Sequence, residues 1–176
     1  FVASQLLRIP LLAAVSVGAA GATTVIMAVQ LLTSGLFEET ARYAVMRWLV
    51  KDVRSWPPAV MFGAGHGGIE AVILFGFGLI NVAVLVLGGD ALVAQAQAAS
   101  PQQAEALRAQ IQALQGTPVW AYGLGIYERV LAIVVHVAFS IMVMRAVRGD
   151  GAKWLLGAMA GHVALNTVAV LTVQNA

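Results

Sequence analysis

The chain has 176 residues, 60% of them hydrophobic and only 10% charged, with a mean hydropathy of +0.86. A soluble domain carries about 25% charged residues, so the expected solvent for this surface is largely lipid. A net charge of +2 without a Lys/Arg-rich patch excludes a nucleic-acid partner, and the lack of cysteine excludes disulfides, thiolate metal sites and a thiol nucleophile.

A bilayer-spanning helix needs about 20 mainly apolar residues. Ile9 to Met27 supplies a first span, in which Gly18, Gly21, Thr23 and Thr24 can bend or break the helix. The opening residue is Phe rather than Met, and a fragment or processed product with further spans upstream is expected. Ala28 to Val50 supplies a second span, which carries Glu38, Glu39 and Arg42. Lys51 to Pro58 (KDVRSWPP) is a polar loop closed by Pro-Pro, a strong helix stop. Ala59 to Leu87 is a third span, with glycines at 63, 65, 67, 68, 76 and 78 that permit close backbone approach. Residues 88–117 read as an extramembrane loop containing a short amphipathic helix, Pro101 to Leu114, with Ser100 as N-cap and Pro101 as its first residue. Pro118 to Ala146 is a fourth span, Arg145 to Lys153 a turn built on Gly-Asp-Gly, and Trp154 to Val173 a fifth. The fold class is therefore an all-α polytopic transmembrane bundle of about five spans forming one domain.

Lys and Arg concentrate before the first span, in the second-to-third connection and in the fourth-to-fifth connection. Alternating spans place all three on one face, which is expected to be cytoplasmic, in a bacterial cytoplasmic membrane, with the C-terminus opposite.

The ionisable groups inside these spans are costly there, and they usually face a partner or a hydrated cavity. The chain's three histidines, His66, His136 and His162, lie in three different apolar runs, and the Glu38-Glu39 pair lies in a fourth. Measured from the cytoplasmic ends, Glu39 is roughly 15 Å deep, His66 and His162 roughly 12 Å, His136 roughly 16 Å, and Glu70 and Asn166 roughly 18 Å. Four helices thus bring polar residues to one slab, nearer the cytoplasmic face. Glu38 and Arg42, His66 and Glu70, His136 and Ser140, and His162 and Asn166 are each at a four-residue interval, which puts each pair on one helix face.

Three imidazoles match the ligand set of a catalytic zinc, with one position left for water. His66, His136 and His162 would bind Zn2+, Glu39 would join them or act with Glu38 as the base, and Glu70 or Asn166 would orient a ligand or stabilise an oxyanion. The same residues also suit a metal-free glutamate protease, in which a glutamate and a histidine activate water. A proton-coupled transporter is a further alternative, against which no inverted repeat is visible. So is a non-catalytic scaffold whose polar site fixes helix packing. Membrane lipid and a peptide or membrane-protein substrate are the expected partners. Glu128-Arg129 reads as structural or interfacial, and Ser140 and Tyr43 as packing residues.

At these residues GLFEETARY, FGAGHGGIEA, ERVLAIVVHVAFS and GHVALN together resemble the YhfC family of intramembrane metalloproteases. That family belongs to the superfamily of CAAX-prenyl proteases and bacteriocin-processing (Abi-type) proteins. The resemblance runs from about Ser34 to Asn166. Phe62 to His66 matches the superfamily's Phe-x-x-x-His, and His162 to Asn166 its His-x-x-x-Asn. It implies that Glu38, Glu39, His66 and His162 are catalytic and that Asn166 assists. Arg42 follows the glutamates after two residues, where the CAAX proteases have three. Glu70 and His136 are similar to features of the YhfC family, so a CAAX-type substrate is not implied.

Overall fold

In lipid no water is available to backbone N–H and C=O groups, so apolar runs of this length are driven to satisfy them internally, as helices. The computed structural model describes residues 2–18 and 23–174, and these form six α-helices with no strand among them. They are α1 (Val2–Gly18), α2 (Thr23–Ala44), α3 (Trp56–Ala99), α4 (Pro101–Gly116), α5 (Val119–Arg148) and α6 (Lys153–Gln174). Among the described residues three helices are long and apolar enough to cross a membrane: α3, α5 and, over Lys153–Thr172, α6. The protein is a helical membrane protein.

Five spans were expected, and the difference lies at the N-terminal end. The single span Ile9–Met27 is replaced by the end of α1 and the start of α2, with residues 19–22, including Gly21, outside the described residues. At 17 residues α1 is short for a crossing, and it contains Pro10, which removes one intrahelical hydrogen bond. Three charged residues, Glu38, Glu39 and Arg42, lower the apolarity of α2.

Local chemistry explains the other boundaries. Pro57 and Pro58 do not stop a helix; they open α3, because first-turn N–H groups have no intrahelical acceptor to lose. Beyond Ala44, α2 widens into a π-helical turn, Val45–Leu49, closed by Val50 N–H donating to the Val45 carbonyl at 2.8 Å. Arg54 covers exposed carbonyls there, donating to those of Met46 (2.8 Å) and Val53 (2.9 Å). Residues 88–99, expected as the start of a polar connection, continue α3. Ser100 is extended and Pro101 opens α4, as expected, but the Ser100 hydroxyl donates to Gln102 Oε1 rather than capping backbone. Gly149 and Gly151 adopt φ of 98° and 108°, which form the turn between α5 and α6.

The chain divides into two units. The first, Phe1–Gly67 with Ile133–Ala176, holds α1, α2, the start of α3, the end of α5, and α6. Here α2 packs against both α1 and α6, and an apolar core forms from Met46, Val53, Ala59, Phe139, Val143 and Ala158. The second, Gly68–Ala132, holds the rest of α3, α4 and the start of α5. Many of its large apolar side chains are turned outward, Leu87 being 88% and Val119 86% exposed, as suits solvation by lipid.

Within the first unit, α3 and α5 meet along a seam without side chains on the α3 side. A Cβ at Gly63 would lie 2.5 Å from Val137 Cα and 2.8 Å from the His136 carbonyl oxygen, and one at Gly67 would lie 2.9 Å from Ile133 Cα. This four-residue interval is the small-xxx-small pattern of membrane helix packing. Gly65, by contrast, has nothing within 4 Å of where its Cβ would be. Gly63→Ala is therefore expected to destabilise the protein by about 1–3 kcal/mol through overpacking, and Gly65→Ala to be neutral or stabilising. Unfolding of the two variants in mixed micelles measures the difference.

Candidate active site

The buried centre of the first unit is polar. Glu38, Glu39, Arg42, His66, His136, Ser140 and His162 are all buried, with Glu39 and Ser140 at 0% exposure and Arg42 at 1%. Helical phase brings them inward: α2 supplies the acids and the arginine, the start of α3 supplies His66, the end of α5 supplies His136 and Ser140, and α6 supplies His162.

Arg42 organises the group. Its Nε lies 2.9 Å from Glu39 Oε2, an ionic contact whose angle is too poor for a hydrogen bond. Nη2 donates to Glu39 Oε1 at 3.1 Å and meets His136 Nδ1 at 2.9 Å. Nη1 donates to the His136 carbonyl at 3.1 Å and to the Ser140 hydroxyl. A guanidinium has five N–H donors and no acceptor; the four on Nη1 and Nη2 of this buried cation each meet an acceptor, and Nε has the ionic contact alone.

The same carboxylate reaches a second histidine. His162 Nδ1 is 2.9 Å from Glu39 Oε1. An ionised carboxylate only accepts, so His162 donates its Nδ1–H to it. Phe139 stacks on the His162 ring, with centroids 5.3 Å apart and planes 15° apart.

Glu38 takes different partners. Its Oε2 is 3.4 Å from His66 Nε2, and its Oε1 accepts from Gln5 Nε2 at 3.5 Å. Gln5 is in turn bonded by Arg8, whose Nη2 also donates to the Gln30 carbonyl at 2.9 Å. The His66 and His136 rings are 4.8 Å apart and the His136 and His162 rings 5.5 Å apart. The three imidazoles therefore adjoin, in series. One ligand atom each from Glu38, His66 and His136 can be chosen within 4.8 Å of one another. Two ligand atoms bound at 2.0–2.1 Å to a tetrahedral zinc are about 3.3 Å apart. The 3.4 Å between Glu38 Oε2 and His66 Nε2 matches that spacing, so the donor set fits a metal.

The remaining residues named from sequence sit as follows. Asn166 donates to the Ser34 hydroxyl at 2.8 Å, which ties α6 to α2. Glu70 lies one turn after His66 on α3, and in the second unit its carboxylate is 3.6 Å from Arg129, which also pairs with Glu128. Arg42 takes Glu39 rather than the four-residue partner Glu38. Ser140, read from sequence as a packing residue, accepts from Arg42; its interval from His136 was the available signal. Gln5, outside the span expected to begin at Ile9, carried no sequence signal.

A family model described as "YhfC intramembrane metalloprotease" matches residues 1–176. The chain belongs to this family. Over 140 residues it is 33% identical to the uncharacterized membrane protein YhfC of Bacillus subtilis (strain 168), a match covering 80% of this chain and 54% of the relative. The chain thus spans about half the length of that family member. No solved structure matches it. The family's description implies a metal, and the Glu/His cluster of this chain is suited to hold one.

Removing either member of a buried ion pair costs about 3–5 kcal/mol. Glu39→Gln and Arg42→Met are each expected to destabilise on that scale. The double variant is expected to lose well under the sum, because neither charge is then stranded. A double-mutant cycle on the unfolding free energy in mixed micelles reads the coupling.

Proposed function

We propose that this protein hydrolyses a peptide bond within or beside the bilayer, using a metal ion whose ligands include Glu38 and His66. The observation that carries the reading is the buried Glu38–His66 pair at ligand spacing, next to an acid–histidine pair already charge-balanced by arginine. Three protein ligands with one open position is the arrangement of a catalytic zinc site. When bound, zinc would polarise the scissile carbonyl and acidify water.

The protein's own groups then move the proton. Hydrolysis adds the water oxygen to the carbonyl carbon, breaks the C–N bond and delivers a proton to the leaving nitrogen, with no other reactant consumed. His162 is the proton carrier. Glu39 accepts its Nδ1–H, so Nε2 takes the proton from water and returns it to the amine. Glu39 itself stays ionised beside Arg42 and steadies the imidazolium.

The substrate is a peptide segment reachable from lipid, consistent with the apolar exterior. Basic residues in the connections at 51–54 and 145–153 support placing the membrane ends next to this site in the cytoplasm, in a bacterial cytoplasmic membrane.

The test is metal content and cleavage of quenched-fluorescent transmembrane peptides by detergent-purified protein. About one zinc per chain is expected, lost on His66→Ala or Glu38→Gln together with cleavage. His162→Ala is expected to keep the metal and lose about 10²–10⁴-fold in kcat. Cleavage by metal-free protein that stops on Glu38→Gln would establish a glutamate protease instead. Proton-driven uptake by vesicles without cleavage would establish a carrier.

A further inference from the structure

We propose that Gln5 is the positioning residue of the metal-binding carboxylate Glu38, and that Arg8 fixes the Gln5 amide for that task. Together they keep Glu38 Oε2 turned toward His66 without neutralising the carboxylate. The assignment rests on the metallopeptidase reading above, and it brings α1 into the chemistry of the site.

Among the side chains of α1, Arg8 alone is ionisable. Its guanidinium is anchored on α2, where Nη2 donates to the Gln30 carbonyl at 2.9 Å and Nε to the Thr33 hydroxyl at 3.4 Å. Nη1 donates to Gln5 Oε1 at 3.4 Å, one turn back along α1. A guanidinium cannot accept, so the Gln5 oxygen must face it and the NH2 must face the other way. That NH2 meets Ser4 Oγ at 3.4 Å and Glu38 Oε1 at 3.5 Å. An amide turned over would set N–H against N–H at Arg8 and oxygen against oxygen at Glu38. Arg8 thus decides that Glu38 meets a donor.

The consequence falls on the carboxylate. Gln5 takes its Oε1, and Oε2 is the oxygen that faces His66 Nε2 at the ligand spacing of 3.4 Å. Carboxylates that bind metals are held by hydrogen bonds of this kind. The choice of an amide matters electrically. Glu39 is gripped by a guanidinium whose charge balances it. A guanidinium placed directly on Glu38 would compete with a metal cation for the same charge. Gln5 holds the group through a neutral donor instead, and keeps the Arg8 charge one side chain away. The negative charge of Glu38 is then left for a cation.

The experiment measures the zinc affinity of detergent-purified protein by competition with a chromophoric chelator, for wild type, Gln5→Met, Arg8→Met and the double variant. Peptide cleavage is followed as zinc is added. Gln5→Met keeps the bulk and removes the N–H, and it is expected to raise the zinc Kd about 10–100-fold, with cleavage recovered at higher zinc. Arg8→Met is expected to weaken zinc binding as well. Removing a positive charge would by itself strengthen the binding of a cation, so this direction reports the amide rather than the charge. The double variant is expected to bind zinc no more weakly than Gln5→Met, because Arg8 acts through Gln5. A role in packing alone would lower thermal stability and leave the zinc Kd of the folded variants unchanged. That result, or tighter zinc binding by Arg8→Met, would overturn the assignment; if Gln5→Met does not fold, Arg8→Met decides it. Wild-type protein that takes up no zinc would overturn the metallopeptidase reading and this assignment with it, an outcome distinct from wild type and Gln5→Met binding zinc equally well.

Discussion

A guanidinium whose Nη1 and Nη2 hydrogens all meet acceptors, sealed inside a lipid-facing helical protein, is the constraint on which the buried site depends. Alone, Arg42 would be costly in that setting, as would Glu39. Together they form a charge-balanced pair that touches three helices: α2 carries both charges, α5 is gripped through its backbone and Ser140, and α6 is drawn in through His162. The pair thus does the work of a tertiary crosslink. It leaves Glu38, the neighbouring acid, to His66 and Gln5.

Packing makes that electrostatics reachable. The Gly63/Gly67 seam brings α3 against α5 beside the His136 carbonyl to which Arg42 donates. On another contact, a Cβ at Gly35 of α2 would lie 2.8 Å from the Met159 carbonyl of α6, on the helix that also carries His162. Small residues therefore line the contacts beside the polar centre, and bulky apolar residues face outward. The inversion is physical: in lipid the apolar effect does not separate inside from outside, so close backbone contact and polar satisfaction hold helices together.

The class of the fold was legible because composition and hydrophobic run length speak directly to the solvent. The convergence of Glu38, Glu39, His66, His136 and His162 was legible from the cost of burying each in an apolar run, combined with depth and helix phase. What the sequence could not carry was the choice among partners. Nothing in EETAR says that Arg42 turns to Glu39 at three residues rather than Glu38 at four; that depends on where α5 presents the His136 carbonyl and Ser140. The role of Asn166 was similarly hidden, because its partner Ser34 lies 132 residues away. Pro57-Pro58 misled for a simpler reason, since proline both ends helices and begins them. The limits of the first two helices depended on residues near a break that apolarity alone does not mark.

The carbonyl oxygen of His136 is met from two sides. Arg42 donates to it, and it is also one of the atoms that an added methyl at Gly63 would strike. Packing on α3 and the guanidinium's hold on α5 thereby meet at one peptide group. Such a change carries no charge, yet it presses on the same oxygen that the buried cation holds.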